Sequence, residues 1–180
     1  MPDYISYDVP ASHVINEYQS QFHPTPPLVG SWTPGQVGHG GSVPLLRVVA
    51  NRAIMTPAQW GRTGERFTDD SSPSLVRRGL VAATAFEQWT ETEARDWENK
   101  RLRASVRGRR FFWMGCSWEE DAFGNARFAV LTNPTYDLSA KFHREPVIVQ
   151  PAKTKAWIDP HSEGVSSCSA PPGTFCFVEV

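Results

Sequence analysis

The sequence predicts an α+β fold, with one β-rich domain over residues 1–180 that contains a mostly antiparallel sheet and a few short helices. Its 180 residues suffice for one full core and are too few for two independent ones. The 40% apolar content, with 7 Trp and 10 Phe, indicates a packed interior. The 15 Pro and 13 Gly imply many turns and short elements, which disfavours a bundle of helices.

The strongest strand signal is the uncharged run of residues 80–85, between Gly79 and the polar pair Glu87 and Gln88. It is too short for a lone helix, so a buried strand is predicted. Strand ends that deliver polar side chains into a cleft often carry chemistry, but a core strand that runs out into solvent has the same pattern. Further strands are predicted at residues 43–49, 103–106, 109–114, 128–131, 147–149 and 175–180, with Arg107 and Gly108 as a hairpin turn.

The helices are predicted to be few and short. Ser12 can cap a helix that ends before Pro24, and Pro151 can start another that Asp159 and Pro160 end. Brief helical turns are predicted at residues 56–60 and 136–143, and the charged segment 90–102 is predicted to be an exposed excursion between strands.

The cysteines and the apolar runs predict a cytoplasmic protein without cofactor, metal or membrane partner. Cys116, Cys168 and Cys176 are odd in number and lack C-x-x-C spacing, so neither a disulfide framework nor a zinc site is indicated. The first residues show no basic and apolar leader pattern, and no apolar run has the length of a bilayer span. A monomer is expected.

The net charge of −1 hides an uneven distribution, because acidic residues cluster at 87–98 and basic ones at 100–110. Arginines beside aromatic side chains suit single-stranded nucleic acid, since they combine phosphate neutralisation with stacking. The alternative is a solvated hairpin whose aromatics belong to the core, and for the aromatics this alternative is preferred. The candidate DNA-binding arginines are Arg77, Arg78, Arg107, Arg109 and Arg110, with Arg101 and Arg103 beside them.

Five segments, taken in order, resemble the SOS-response-associated peptidase (SRAP) family. Residues 77–89 are similar to the family's R-R-C-L-V-P-A-x-G-F-Y-E-W strand, and residues 110–119 to P-F-x-F-A-G-L-W-E. Residues 128–132 are similar to F-T-I-L-T, and 141–149 to the segment with the active-site histidine before M-P-V-I-L. Asn51 and Arg52, with Trp60 following, resemble the N-x-R segment.

The resemblance implies a β-rich pseudo-barrel that recognises abasic sites in single-stranded DNA. Family members link an N-terminal cysteine covalently to the ring-opened sugar aldehyde, and are thought to remove their own initiator methionine, hence the word peptidase. By this match His143 is the active-site histidine and Asn51 bonds the opened sugar or its phosphate. Arg52 sits one place before the family's arginine, which matches Ala53.

The place of the family's cysteine is held by Pro2. Without a thiol no thiazolidine can form, but an unblocked Pro2 would be a secondary amine with a pKa of roughly 8. Such an amine can condense with the aldehyde to an iminium ion, which favours strand cleavage by β-elimination. The alternatives are an ordinary Met-Pro start, or a true start upstream.

The family's glutamate matches Gln88, and Glu87 lies one place early. Because neighbouring strand residues point to opposite faces, this shift matters. A glutamine can hydrogen-bond a sugar hydroxyl but cannot shuttle a proton. Either a bulge turns Glu87 into the site as general acid/base, or the site has lost that function.

Three other functions are considered. A catalytically silent DNA-binding relative would keep the fold without the chemistry, and an interaction protein would use segment 90–102. An esterase-like oxyanion loop at residues 38–41 is disfavoured because the chain lacks a G-x-S-x-G nucleophile motif.

Overall fold

Two β-sheets and a small two-stranded ribbon make up most of the computed structural model. The structure describes residues 2–9, 13, 14, 16, 34–61, 77–90, 100–134, 144–162 and 173–180. Among these, every strand pairing is antiparallel except that of one pair in the second sheet. The expectation of a β-rich domain with mostly antiparallel strands is therefore confirmed.

The first sheet holds five strands, which lie in the order β13-β7-β6-β1-β2. Their bounds are β1 (Tyr4–Ser6), β2 (Gln36–Gly38), β6 (Ala85–Trp89), β7 (Arg101–Val106) and β13 (Phe175–Glu179). Strand β6 is central, since Phe86 pairs with Ile5 on one side and with Ala104 on the other.

The second sheet holds six strands, in the order β12-β8-β5-β3-β4-β9. Their bounds are β3 (Ser42–Val49), β4 (Arg52–Trp60), β5 (Arg78–Ala83), β8 (Phe112–Glu120), β9 (Ala126–Val130) and β12 (Ile148–Val149). Strand β9 pairs in parallel with β4 and also antiparallel with β8, so five of the strands form a closed ring. The ribbon consists of β10 (Thr132–Pro134) and β11 (Arg144–Pro146).

Alternation along β5 separates two apolar cores. Val81 and Ala83 face an inner core shared with the first sheet, which contributes Phe86 and Phe175. Leu80 and Ala82 face a second core on the other side of the sheet. This second core is covered by helix α1 (Thr154–Ile158), which follows a 3-10 turn at Pro151–Lys153.

Trp157 of α1 lies against two glycines. Its Nε1 donates a hydrogen bond to the carbonyl of Gly79 at 2.9 Å. A Cβ at Gly115 would lie 2.5 Å from Cζ2 of the same ring, so only glycine fits there unless the ring shifts. The helix thus packs flat on the sheet at the point where β5 and β8 run side by side.

The helix predicted from Pro151 and the strands predicted at 43–49, 80–85 and 175–180 are confirmed, with a break at Thr84 between β5 and β6. The helical turn predicted at 56–60 is wrong, because those residues belong to β4, where the buried Ala58 and Trp60 alternate with Gln59. At the first predicted helix, His13, Val14 and Asn16 are helical, and Ser12 lies outside the described residues. The turns predicted at 136–143 and most of segment 90–102 also lie outside them.

The hairpin predicted about Arg107 and Gly108 is wrong as well. Strand β7 pairs with β6 and β13, whereas β8 pairs with β5, β9 and β12. Residues 107–111 therefore carry the chain from one sheet to the other. Two strands separated by a glycine give the same local sequence pattern whether they pair as a hairpin or belong to different sheets. Only the long-range strand pairing distinguishes these two arrangements.

Candidate functional site at the end of strand β6

Glu87 and Gln88 lie on opposite faces of a regular strand. In β6, Phe86, Glu87 and Gln88 pair in turn with Ala104, Arg103 and Leu102 of β7. On the other side Glu87 pairs with Tyr4 of β1. The register is continuous through both residues, so no bulge turns Glu87 toward the face of Gln88.

Glu87 is held by two arginines of the neighbouring strand. The side chain is 2% exposed, its Oε2 bonds to Nη2 of Arg101, and its Oε1 lies 3.6 Å from Nη1 of Arg103. A buried carboxylate needs such partners because its removal from water is costly. The acid/base role predicted for Glu87 required a bulge, and the structure lacks one.

Gln88 points to the face that carries Phe86 and the inner core, and it is 2% exposed. Its Nε2 lies 3.4 Å from the carbonyl oxygen of Arg144, a long hydrogen bond. Its buried Oε1 has no hydrogen-bond partner among the described residues. An acceptor without a partner in the interior is costly, so this oxygen is suited to receive a ligand hydroxyl or amide.

Pro2 lies in the chain that runs beside the same end of β6. The Asp3 N–H donates to the carbonyl of Glu87 at 2.8 Å, and the Asp3 carboxylate accepts from the Trp89 N–H at 3.3 Å. Pro2 itself is buried. The guanidinium of Arg101, 4.2 Å from the centre of the Tyr4 ring, also holds this segment against the sheet.

Arg144 fixes the ribbon that faces Gln88. Its Nε donates to Oγ1 of Thr132 and its Nη2 to the Thr132 carbonyl, both at 2.7 Å. These bonds join β11 to β10 across the ribbon. His143 directly precedes this anchored residue in sequence, and its own placement lies outside the described residues.

Two polar residues of the ribbon were missed in the sequence. Glu145 is 0% exposed and pairs across the ribbon with Asn133, whose buried Nδ2 has no hydrogen-bond partner among the described residues. A usable signal was the glutamate itself, because a charge directly before the apolar run of residues 146–149 breaks the pattern of a core strand.

Asn51 lies at the tip of the β3–β4 hairpin. Val49 pairs with Arg52, and the two residues between them, Ala50 and Asn51, have φ of 48° and 60°. This is the geometry of a tight two-residue turn, for which asparagine is well suited. Asn51 and Arg52 are exposed, and none of the described contacts joins them to the end of β6.

The candidate DNA-binding arginines occupy different environments. Arg78 donates hydrogen bonds to the carbonyls of Asp159 and Ser162 at 2.9 and 2.8 Å, and burial lowers the pKa of its guanidinium, partly offset by Asp159. The Arg77 guanidinium, 5.1 Å from the centre of the Trp118 ring, is largely exposed.

Arg107, Arg109 and Arg110 are exposed on the link between the sheets. No ion pair within the described ranges involves them. Their side chains are therefore open to solvent, as is that of Arg77.

The glycine-rich segment 38–41 is a turn that packs on β4. The imidazole of His39 stacks on Trp60 with ring centres 4.3 Å apart, and the Gly40 N–H donates to the Trp60 carbonyl at 2.8 Å. Gly40 has a φ of 85°, which glycine adopts readily. These contacts give the segment a structural role and leave the esterase hypothesis without support.

Neither a metal-binding cluster nor a membrane-spanning helix is found among the described residues. Within the described ranges no group of three or more His, Cys, Asp or Glu side chains is arranged to hold a metal ion. No helix in that part of the chain combines the length and the apolar character of a bilayer span. Cys116 is buried in the inner core, and burial raises the pKa of its thiol.

Comparison with known proteins identifies the fold. No family model and no curated protein matches the chain. A solved protein from Bacteroides thetaiotaomicron matches 98% of this chain and 91% of its own, with a TM-score of 0.68 and 15% identity. A phage-related protein from Bordetella bronchiseptica matches 99% and 93%, with a TM-score of 0.70 and 15% identity. Another protein from the same organism matches 100% and 99%, with a TM-score of 0.65 and 12% identity.

The fold thus defines a class of mostly β single domains that includes bacterial and phage-related proteins. Likeness at this level of identity establishes the fold alone. The function has to be argued from the site.

Proposed function

We propose that this chain recognises abasic sites in single-stranded DNA at the end of strand β6, in the manner of an SRAP-like protein. The observation that supports the proposal is that Gln88 contacts the backbone of Arg144, the residue after His143, while Asp3, the residue after Pro2, bonds the carbonyl of the adjacent Glu87. These three segments come from distant parts of the sequence. Gln88 and Pro2 match the family's glutamate and cysteine, and Arg144 directly follows the residue that matches the family's histidine.

The chemistry of Gln88 suits an opened sugar. An abasic deoxyribose interconverts between a cyclic hemiacetal and an open aldehyde, and both forms carry hydroxyl groups. The free Oε1 of Gln88 can accept a hydrogen bond from such a hydroxyl. A site that would otherwise leave a buried acceptor unpaired discriminates strongly in favour of a ligand that supplies the donor.

A covalent step at Pro2 is part of the proposal. Chains that have lost Met1 carry Pro2 as a secondary amine, which attacks the aldehyde carbon, and loss of water then gives an iminium ion. Loss of a C2′ proton to water would then break the C3′–O bond and release the 3′ strand as its phosphate. A thiazolidine cannot form at Pro2 itself, because proline has no thiol.

A second candidate function is binding without turnover. It is favoured by one observation, namely that Glu87 is committed to Arg101 and Arg103 on the face opposite Gln88. In that case the chain is a silent relative that binds abasic DNA and forms no bond with it.

Borohydride trapping separates the two candidates. The protein is incubated with single-stranded DNA bearing one abasic site, with and without borohydride, and its intact mass is measured. The covalent proposal predicts a reduced adduct only on chains that lack Met1, so the chains that retain it serve as an internal control. Binding of the abasic strand in preference to an intact strand, without any adduct, would establish the silent alternative. Equal affinity for both strands would rule out abasic-site recognition altogether.

A further inference from the structure

A fully buried carboxyl group lies on the ribbon that contacts Gln88. Glu145 is 0% exposed in the β10–β11 ribbon, opposite Asn133. Glutamate is among the residues least often buried completely, because desolvation of its charge is costly. Pro146 and Val147, which follow it, are buried and apolar, as a core strand requires. Glu145 is therefore a buried carboxyl group on the strand whose backbone contacts Gln88.

The contacts of Arg144 relate Glu145 to Gln88. The Gln88 amide reaches the carbonyl of Arg144, the residue directly before Glu145. The Arg144 side chain is bonded twice to Thr132, so the ribbon backbone at this point is held from both strands. A carboxyl group on such an anchored element is well positioned for chemistry.

Asn133 supplies a second sign of a ligand site. Its Nδ2 is buried without a hydrogen-bond partner within the described ranges, while the Oε1 of Gln88 is an unpaired acceptor. The structure thus holds one unpaired donor and one unpaired acceptor on the elements that flank Glu145. A sugar hydroxyl can donate to one and accept from the other.

We propose that Glu145 is the general acid/base for opening the abasic sugar, which deepens and rests on the function proposed above. The Glu145 carboxyl gives its proton to the ring oxygen as the bond between that oxygen and C1′ breaks. The C1′ hydroxyl becomes the aldehyde oxygen and returns a proton to the carboxylate. One proton has moved from the hydroxyl to the ring oxygen, and Glu145 ends in its starting state.

This assignment supplies a carboxyl group to the site, although neither polar residue at the end of β6 can provide one. Gln88 cannot shuttle a proton, and Glu87 lies on the far face in ion pairs. The carboxyl group of the site is then supplied by the ribbon, and Gln88 acts as a hydrogen-bonding residue only.

The test compares Glu145→Gln with Glu87→Gln in borohydride trapping on abasic single-stranded DNA, with DNA affinity and thermal unfolding measured in parallel. Glu145→Gln is expected to slow adduct formation by about 100-fold while DNA affinity stays within about twofold, as for loss of a general acid/base. Glu87→Gln is expected to trap at the wild-type rate once corrected for the folded fraction. The double variant Glu145→Gln with Gln88→Glu returns a carboxyl group to the site and should recover at least about tenfold of the rate.

The outcomes are distinguishable. If wild type forms no adduct, the covalent function fails and this inference fails with it. If wild type traps and Glu145→Gln traps equally fast, only the inference is overturned. Parallel loss of rate and affinity, or a double variant as slow as Glu145→Gln, would also overturn it. Should Glu145→Gln lose its unfolding transition, Glu145→Asp decides, because a rate equal to wild type would contradict an acid/base group whose position matters.

Discussion

Glu87 lies directly opposite Arg103 on the adjacent antiparallel strand, with 3.6 Å between Oε1 and Nη1. Arg101, diagonal to it, bonds the other carboxylate oxygen and covers the Tyr4 ring. One buried carboxylate therefore joins β1, β6 and β7 on the outer face of the first sheet. This arrangement is structural and leaves the opposite face of β6 to Gln88.

Glu87→Gln should destabilise the protein by about 2 kcal/mol, because Arg101 loses the Glu87 carboxylate and Arg103 is left with its ion pair to Asp8, while both arginines are partly exposed. Urea unfolding followed by tryptophan fluorescence measures the change. Glu179→Gln is the matched control, since its ion pair with Lys100 at 3.1 Å is well exposed on both sides and should matter by less than about 0.5 kcal/mol. Equal effects of the two substitutions would contradict the structural role of Glu87.

Gly115→Ala should lower stability by about 1–3 kcal/mol, because the added methyl group would meet the Trp157 ring 2.5 Å away. Thermal unfolding measures the loss. Gly35→Ala is the control, because no atom lies within 4 Å of a Cβ at that position. A wild-type transition for Gly115→Ala would mean that α1 does not pack on β8 as described.

The turn between β8 and β9 should be sensitive to acid through Asp121. Hydrogen bonds from the backbone and side chain of Asn125 lower the pKa of this carboxyl, with the Phe123 N–H and Arg127 adding to the effect. Its contribution to stability is therefore present above the unfolded-state pKa of about 4 and is lost as pH falls through the lower folded-state value.

The Tm difference between wild type and Asp121→Asn measures this contribution. It should be largest near neutral pH and should close as the solution is acidified below about pH 4. A difference that stays constant down to pH values well below that range would show that the carboxylate charge is not what stabilises the turn.

Salt dependence of binding to single-stranded DNA should identify the arginines that meet phosphates. Replacing Arg107, Arg109 and Arg110 together by alanine should reduce the slope of log K against log salt by about 2, since each phosphate contact contributes roughly 0.7. Arg78→Ala should leave the slope unchanged and lower stability, because Arg78 holds the carbonyls of Asp159 and Ser162. A slope unaffected by the triple change would remove this link from the interface.

Much of the fold could be predicted from apolar runs. Two of the predicted strands are the uncharged run before Glu87 and the alternating segment at the end of the chain. Both could be predicted because the order of apolar and polar residues within a short segment indicates which side chains are buried. The false hairpin at Arg107 and the false helical turn at Thr56 have another origin. The false hairpin depends on which distant strands pair with β7 and β8, and no local pattern records that choice. The false helical turn is overridden by the strand next to it in sequence, because the tight turn at Ala50 and Asn51 pairs residues 52–60 with β3.

The site was predictable only in part. Gln88 was identified because it falls at the end of a clear strand, and Pro2 because it holds the place of the family's cysteine. The face occupied by Glu87 could not be decided, since it depends on whether the strand contains a bulge. Glu145 was missed because a glutamate between Arg144 and Pro146 gives no local sign of a site, and its position near Gln88 and Asn133 depends on residues distant along the chain. Asn51 was selected by resemblance, and its left-handed backbone in a tight turn is a local requirement.

Intact-mass spectrometry after borohydride treatment on abasic single-stranded DNA tests the central claim most directly. The account predicts a mass increase equal to one reductively attached DNA strand, either whole or cleaved on the 3′ side of the abasic site, confined to chains without Met1, absent with intact DNA, and diminished in Gln88→Leu. An unmodified protein mass, together with equal affinity for abasic and intact strands, would contradict it.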